Sequence, residues 1–224
     1  MGLKFIGNGS CFNVKNGNTS AYYYNKRKGI LFLIDCGESV FEKLVNKIET
    51  EFKNLDQVIV VITHFHSDHI GSLPSLIFYL NIAKGIVPKV IFPEKSIIEL
   101  LTKMGVEESC YEYKKTCEVI DTQVKVLHKG NLDSFGYVFN ICGRKLYYSG
   151  DSKELPKSIL TRFLDREIDI IYHDMTRYIG TGHASVNYLS SIIPKKLRNK
   201  VYAMHLDDKE TEKLALLYEF KIAK

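Results

Sequence analysis

The chain has 224 residues, of which 45% are hydrophobic, 25% are charged, 15 are glycine and 5 are proline. This composition supplies a folded core and lacks the bias of disordered, collagen-like or coiled-coil sequences, so we expect one domain over residues 1–224. A net charge of +5, from 31 Lys and Arg against 26 Asp and Glu, is too small for a dedicated nucleic-acid binder but favours anionic partners.

Short β-rich segments and turns open the chain. Residues 3–6, 21–24 and 30–34 have the composition of strands, and glycine- and asparagine-rich turns separate them, which predicts antiparallel hairpins. The spacing of Val40, Leu44 and Ile48 then predicts a helix.

Strands and helices alternate through the rest of the chain. Residues 58–62 form a continuous β-branched run, which predicts a strand buried on both faces. A helix is expected over residues 73–83, with Pro74 in its first turn. Further strands are predicted at residues 89–92, 123–127, 136–141, 145–148, 169–172 and 201–204. Further helices are predicted at residues 96–104, 156–164, 185–193 and 210–220.

Residues 105–116 show no regular period and contain Tyr111 and Tyr113. We expect a surface loop or lid there. Its tyrosines are either ordinary exposed side chains or a platform on which a nucleobase stacks.

Three histidines and an aspartate lie within the six residues that follow the predicted strand at residues 58–62. Alternation along the extended chain puts His64 and His66 on one side, while Asp68 and His69 begin the next turn and can face a second centre. Burying four such donors without a partner would be costly. The cluster therefore predicts metal binding, and a polar surface loop is the alternative.

Three more candidate ligands follow apolar strands. A single histidine at such a position is more often a capping or core residue than a ligand, but strand ends that meet at one edge of a sheet can supply a common site. The predicted ligands are His64, His66 and His128 for one metal ion, Asp68, His69 and His205 for a second, and Asp151 as a bridge. Histidine and aspartate without thiolate favour two Zn²⁺ ions, with Mn²⁺ or iron as the alternatives.

With these residues the sequence resembles the metallo-β-lactamase superfamily, whose H-x-H-x-D-H signature stands at residues 64–69. The resemblance implies an α/β fold, the αββα metallo-β-lactamase sandwich of two mixed sheets flanked by helices, with the metals at one edge. The similar segments are residues 7–10, 17–20 and 35–38, which resemble the family's first hairpins, and residues 148–152 and 204–206, which resemble its last ligand motifs.

Two further motifs resemble the ribonuclease Z branch of that superfamily. His-Asp-Met-Thr starts at His173, and His-Ala-Ser starts at His183. The branch has His-Glu-Ala-Thr and His-Ser-Thr there, whose acid and histidine cooperate to protonate the leaving oxygen, so the resemblance assigns this role to Asp174 and His183. The alternative makes Asp174 a turn residue, Ser185 a helix cap and His183 a bystander. We interpret His173 as a buried histidine at a strand end.

Ribonuclease Z enzymes that process transfer RNA carry a basic arm, for which this chain has no room. Only 151 − 128 = 23 positions separate His128 from Asp151, and a predicted strand pair uses them. Without an arm and with a charge of only +5, tight capture of a folded polyanion is difficult to explain, because phosphate contacts dominate such affinity. A small anionic phosphodiester is the favoured partner, and nucleic acid is the less favoured one.

The chain is similar to compact cyclic-nucleotide phosphodiesterases, including the anti-Pycsar proteins. That resemblance implies a homodimer and a dinuclear-metal phosphodiesterase that hydrolyses 3′,5′-cyclic nucleotides to 5′-monophosphates. Hydroxide generated at the metals attacks phosphorus, with Asp68 among the catalytic residues and His183, held by Asp174, as the leaving-group acid. A ribonuclease Z-like tRNA 3′-processing endonuclease and a lactone or thioester hydrolase are the alternatives.

The cysteines and the hydropathy of the sequence indicate the cellular compartment of the protein. The five cysteines form an odd set without a C-x-x-C pair, which favours reduced thiols over a disulfide framework. No apolar stretch approaches the roughly 20 residues of a transmembrane helix, and the first residues lack the pattern of a signal peptide. We therefore expect a cytoplasmic protein without a membrane partner, located in the host cytoplasm if a phage encodes it.

Overall fold

The computed structural model describes residues 2–130 and 132–224. These residues divide into two units, which we call the N-terminal unit (residues 2–7 and 17–117) and the C-terminal unit (residues 8–16 and 118–224). Each unit contains one six-stranded mixed sheet.

The sheet of the N-terminal unit follows the order of its strands along the chain. The first three strands pair antiparallel, and the third to the sixth pair in parallel. The strands are β1 (Lys4–Gly7), β2 (Ser20–Asn25), β3 (Ile30–Ile34), β4 (Gln57–Val61), β5 (Lys89–Ile91) and β6 (Glu112–Lys114). The α-helices are α1 (Val40–Thr50), α2 (Ser67–Ile70), α3 (Leu73–Phe78) and α4 (Ser96–Lys103).

The core of the N-terminal unit has the side chains that the sequence pattern predicts. Helix α1 buries Val40, Leu44 and Ile48, which recur every four residues and therefore share one face. Strand β4 buries all four residues after its first, as expected for a parallel strand that is covered on both faces.

The sheet of the C-terminal unit repeats the same sequence of pairings. Its first three strands pair antiparallel and its third to sixth pair in parallel. The strands are β7 (Ile120–Val126), β8 (Ser134–Ile141), β9 (Arg144–Tyr148), β10 (Ile170–Asp174), β11 (Val201–Met204) and β12 (Lys221–Ile222). The helices are α5 (Lys157–Leu164), α6 (Val186–Ile192) and α7 (Lys209–Leu217). Its buried cluster includes Val138, Tyr147, Phe163, Ile171 and Leu189.

The predicted surface loop at residues 105–116 is confirmed for most of the segment, which is irregular and exposed, but it is wrong for residues 112–114. This segment contains a 3₁₀ turn at Glu108–Cys110 and then β6, which pairs in parallel with β5. Tyr111 is only 5% exposed, so it does not present its ring as a stacking platform. Three residues are too few to show the alternation that predicts a strand from sequence. This strand forms because its backbone pairs with β5.

Strands β8 and β9 form a tight hairpin between His128 and Asp151. The two residues that join them, Cys142 and Gly143, have φ angles of 52° and 74°, as a type I′ turn requires. Among the described residues of this interval there is no additional arm, in agreement with the sequence-based expectation.

The helices of residues 2–130 and 132–224 are too short or too polar to cross a membrane. All five cysteines are thiols rather than disulfides in the structure.

Candidate functional site

Polar side chains follow the carboxyl ends of parallel strands in both sheets. In the N-terminal unit, Asp35 follows β3, and His64 comes three residues after the end of β4. In the C-terminal unit, Asp174 ends β10, Asp151 comes three residues after β9, and His205 follows β11 directly. Because neighbouring parallel strands end at the same edge, each sheet carries its polar residues together.

The predicted metal motif forms one cluster in the N-terminal unit. His64 Nε2 lies 3.0 Å from His66 Nδ1, and His69 Nε2 lies 3.4 Å from Asp68 Oδ2. The rings of His64 and His69 are 4.2 Å apart, so the two pairs are neighbours. His64, Asp68 and His69 are buried, and His66 is partly exposed.

Asp35 orients this cluster, a role that the sequence analysis missed. Its carboxylate accepts the backbone N–H of Thr63 at 2.8 Å and the Thr63 hydroxyl at 2.9 Å, and it lies 2.9 Å from His69 Nδ1. Burial raises the pKa of Asp35, although His69 and Thr63 act against this. The only sequence signal was an acidic residue directly after an apolar strand.

This contact sets the tautomer of His69. With Nδ1–H donated to Asp35, Nε2 keeps its lone pair and faces Asp68, which is the arrangement of a metal-ligating histidine backed by a carboxylate. Asp35 has a φ of 60°, in the left-handed region that non-glycine residues rarely adopt. Such strain concentrates at functional sites.

Gly37 packs directly against the backbone of the motif. A Cβ atom at this position would lie 1.9 Å from the carbonyl oxygen of Asp68 and 2.4 Å from its carbonyl carbon. The same segments are joined by the backbone hydrogen bond from Cys36 N–H to the carbonyl oxygen of His69, at 2.7 Å. The chain can therefore make this approach only with glycine at position 37.

We predict that Gly37→Ala lowers the hydrolytic activity that the family resemblance implies by about a hundredfold, because a displacement of about 1 Å at a reacting group costs that much. It should also destabilise the protein by about 1–3 kcal/mol, as overpacking does. Gly85→Ala is the matched control, since no atom lies within 4 Å of the added Cβ, although its φ of 66° brings some strain. Turnover and thermal unfolding are the measurements. Wild-type turnover in Gly37→Ala would show that the Asp68 segment tolerates displacement.

The C-terminal unit gathers imidazole nitrogens around one carboxylate. Asp151 Oδ2 lies 3.4 Å from His205 Nε2, 3.7 Å from His128 Nε2 and 3.8 Å from His183 Nδ1. The Nδ1–H of His128 donates to the carbonyl oxygen of Gly182 at 3.1 Å, which leaves the lone pair of Nε2 facing Asp151. His205 reaches this position with a φ of 55°.

The donor chemistry fits a divalent metal ion. In each unit, imidazole nitrogens and carboxylate oxygens face one another at 3.4–3.7 Å, an arrangement of ligand atoms that a bound cation would stabilise. Nitrogen and oxygen donors of this kind are those that zinc uses in proteins. The predicted ligands divide between the units: His64, His66, Asp68 and His69 lie in the N-terminal unit, and His128, Asp151 and His205 lie in the C-terminal unit.

The predicted acid pair is also brought together. His183 Nδ1 lies 2.8 Å from Asp174 Oδ2, and the His183 ring is 24% exposed beside the rings of His128 and His205. The structure gives Ser185 the capping role of the alternative interpretation, because its hydroxyl accepts the backbone N–H of Tyr188 at the start of α6.

The pKa values of both groups in this pair differ from their ordinary values. Burial acts to lower the pKa of His183, but the hydrogen bond and the charge of Asp174 raise it to about 9. Burial acts to raise the pKa of Asp174, yet the contacts with His173 and His183 bring it below its ordinary value. At neutral pH, the pair is therefore an imidazolium held by a carboxylate.

Comparison with known families and curated relatives gives a consistent result. The family model described as anti-Pycsar protein Apyc1 matches residues 1–116 and 106–219. The anti-Pycsar protein Apyc1 of Paenibacillus harenae is 28% identical over 229 residues, which cover 93% of this chain and 90% of that protein.

Solved structures confirm the predicted fold class of two mixed sheets flanked by helices. The metallo-β-lactamase fold protein YhfI from Bacillus subtilis has a TM-score of 0.72 at 16% identity, covering 98% of this chain and 94% of that one. The short form of human tRNase Z has a TM-score of 0.67 at 18% identity, covering 94% of each chain. At such identities, these likenesses concern the fold.

Proposed function

The chain belongs to the anti-Pycsar protein Apyc1 family and is a metal-dependent hydrolase, and from this premise we propose that it opens 3′,5′-cyclic nucleotides to 5′-monophosphates. The observation that carries the proposal is the 2.8 Å contact of His183 Nδ1 with Asp174 Oδ2, beside donors that fit a divalent ion. An alkoxide leaving group needs such an acid, whereas a thioester hydrolase, which expels a thiolate, does not.

We propose that both units act as one hydrolase domain whose seven predicted ligands hold two divalent ions, Zn²⁺ or Mn²⁺. When bound, these ions supply the positive charge that activates water and neutralises the phosphodiester. The ligands are His64, His66, His69, His128 and His205 with Asp68 and Asp151.

Side chains of the protein then transfer the protons of the reaction. A water oxygen bonds to phosphorus while the bond from phosphorus to the 3′ oxygen breaks. Asp68 accepts the proton of the attacking water, and His183 gives the proton of its Nε2 to the departing 3′ oxygen. Asp174 holds His183 through Nδ1 and balances the charge of the imidazolium.

We propose a small anionic phosphodiester as the partner. Supporting this, the described residues between His128 and Asp151 contain only a tight hairpin and its flanking loops, without an arm that could hold a transfer RNA. The homodimer and the cytoplasmic location that the sequence suggests stay predictions.

We predict that the purified protein, supplied with Zn²⁺ or Mn²⁺, converts 3′,5′-cyclic nucleotides to 5′-monophosphates. A small ligand makes few ionic contacts, so activity should change little with salt, unlike that of an enzyme which binds many phosphates. Nucleotide chromatography across a salt titration, with precursor tRNA, a lactone and a thioester run in parallel, measures both properties.

Three other results would contradict the proposed reaction. A 3′-monophosphate product would contradict the proposed leaving group. Efficient cleavage of precursor tRNA with a steep salt dependence, together with inert cyclic nucleotides, would instead identify a ribonuclease Z-like endonuclease. Turnover of the lactone or thioester alone would contradict the phosphodiesterase.

A further inference from the structure

A second histidine lies against the acid of the proposed pair. His173 is fully buried in β10, next to Asp174 in sequence. Its Nδ1 lies 2.9 Å from the carbonyl oxygen of Asp174 and 2.9 Å from the carboxylate oxygen Oδ1. Both neighbours are acceptors, so Nδ1 carries the proton, which is directed at the carbonyl oxygen with Oδ1 to one side.

The two oxygens of the Asp174 carboxylate differ in their partners. Oδ2 faces His183 Nδ1 at 2.8 Å and accepts the backbone N–H of Ser152 at 3.2 Å. Oδ1 is buried, and no donor among residues 2–130 and 132–224 forms a hydrogen bond with it, so the off-axis contact with His173 Nδ1 at 2.9 Å is what it has instead. A buried carboxylate oxygen without a donor is costly, and the positive edge of the His173 ring at Nδ1, 2.9 Å away, offsets part of that cost for Oδ1.

The other end of the His173 ring makes no comparable contact. His173 Nε2 is buried and has no hydrogen-bond partner among the described residues. The Nδ1 end is therefore the polar group that explains a histidine at this position. Asparagine carries an amide nitrogen close to the place of Nδ1, whereas glutamine carries it one bond farther from the backbone.

We propose that His173 is a positioning residue for the reaction: its Nδ1–H sets the rotation of the Asp174 carboxylate, so that Oδ2 holds His183 toward the leaving oxygen. This inference rests on the proposed function, because it acts through the same acid pair. Residues that orient a functional group from behind change rates by about 10–100-fold in metal sites, and we expect a similar loss here.

The test compares His173→Asn with His173→Gln. Glutamine is closer to histidine in volume. If His173 only fills the core, His173→Gln should therefore retain more activity than His173→Asn. Positioning through Nδ1 favours His173→Asn, which should keep turnover within about threefold of wild type while His173→Gln loses about 10–100-fold, by analogy with other orienting contacts. Metal content and thermal unfolding of both variants establish that they fold.

The dependence of kcat on the leaving group of the substrate separates a positioning role from an effect on folding. With a cyclic nucleotide, whose alkoxide needs an acid, kcat should fall in His173→Gln while KM changes little. With bis(p-nitrophenyl) phosphate, whose leaving group is already a good one, kcat should be close to wild type. Adding His173→Gln to His183→Ala should cause no further loss, because both act on one proton transfer.

The outcomes distinguish this inference from the proposed function. If Asp174→Asn and His183→Ala slow the cyclic nucleotide but His173→Gln does not, His173 has no positioning role and the phosphodiesterase assignment stands. If His173→Gln is active and His173→Asn is not, a role in packing replaces the inference. If His183→Ala hydrolyses the cyclic nucleotide at the wild-type rate, the acid pair is wrong and this inference fails with it, whereas a wild-type protein that leaves cyclic nucleotides intact would overturn the proposed function.

Discussion

Replacing Asp151 with alanine is expected to lower hydrolysis by at least about a thousandfold and to lower the bound metal from two ions per chain to at most one. Asp151 Oδ2 lies 3.4–3.8 Å from nitrogens of His205, His128 and His183, so its removal takes away the carboxylate ligand at the centre of this cluster. Loss of a metal ion removes several kcal/mol of transition-state stabilisation, and each 1.36 kcal/mol is about tenfold in rate.

The measurement is elemental analysis of the purified, metal-replete protein alongside turnover. Asp165→Ala is the control, because Asp165 is an exposed aspartate directly after α5 in the same unit and has no role in the site. We expect it to keep both its metal and its activity. A wild-type protein that holds at most one ion, together with an Asp151→Ala variant of unchanged activity, would contradict the dinuclear assignment.

Asp174 and His183 are expected to behave as one unit. Asp174→Asn and His183→Ala should each slow hydrolysis of a cyclic nucleotide by about 10²–10⁴-fold, the contribution that general acid catalysis usually makes. Asparagine keeps the volume of the buried aspartate but lacks the charge that balances the His183 imidazolium. Metal content should be unchanged in both variants, because neither residue is among the seven proposed ligands.

The double variant provides the sharper measurement. Since both residues serve one proton transfer, Asp174→Asn with His183→Ala should be little slower than either single variant. The losses should also shrink with bis(p-nitrophenyl) phosphate, which needs no acid. Losses that multiply in the double variant, or that are equal for good and poor leaving groups, would contradict the general-acid role.

The sequence alone was sufficient where the chemistry is local. His64, His66, Asp68 and His69 lie within six residues, so the chain itself brings them together whatever the rest of the fold does. The continuous β-branched run of β4 and the four-residue spacing of Val40, Leu44 and Ile48 likewise predicted a buried strand and the buried face of α1.

The family resemblance supplied what local patterns could not. Nothing in residues 174 and 183 taken singly indicates a pair, since an aspartate at a strand end and a histidine in a loop are both common. The likeness to two linked motifs brought them together as an acid pair, and the structure places Nδ1 of His183 2.8 Å from Asp174 Oδ2.

Contacts between distant residues were decided by the tertiary structure alone. Asp35 lies 34 positions from His69, and only the parallel register of β3 with β4 places its carboxylate at that imidazole. The approach of Gly37 to the Asp68 carbonyl has the same origin. A sequence records which side chains are available, whereas strand pairing determines which of them meet.

The other differences between the sequence-based predictions and the structure also arise because contacts between distant segments determine them. Strand β6 has three residues, too few for a period, and it exists because β5 offers its edge for hydrogen bonding. The direction of the His173 ring depends on how the backbone ends β10, so no pattern of residue types could show which nitrogen faces Asp174. The sequence by itself determined the donor types, the metal motif and most of the strands and helices, but not β6 or β12. The tertiary structure decided orientation, because hydrogen bonds at 2.8–2.9 Å depend on atomic positions that only the packed backbone sets.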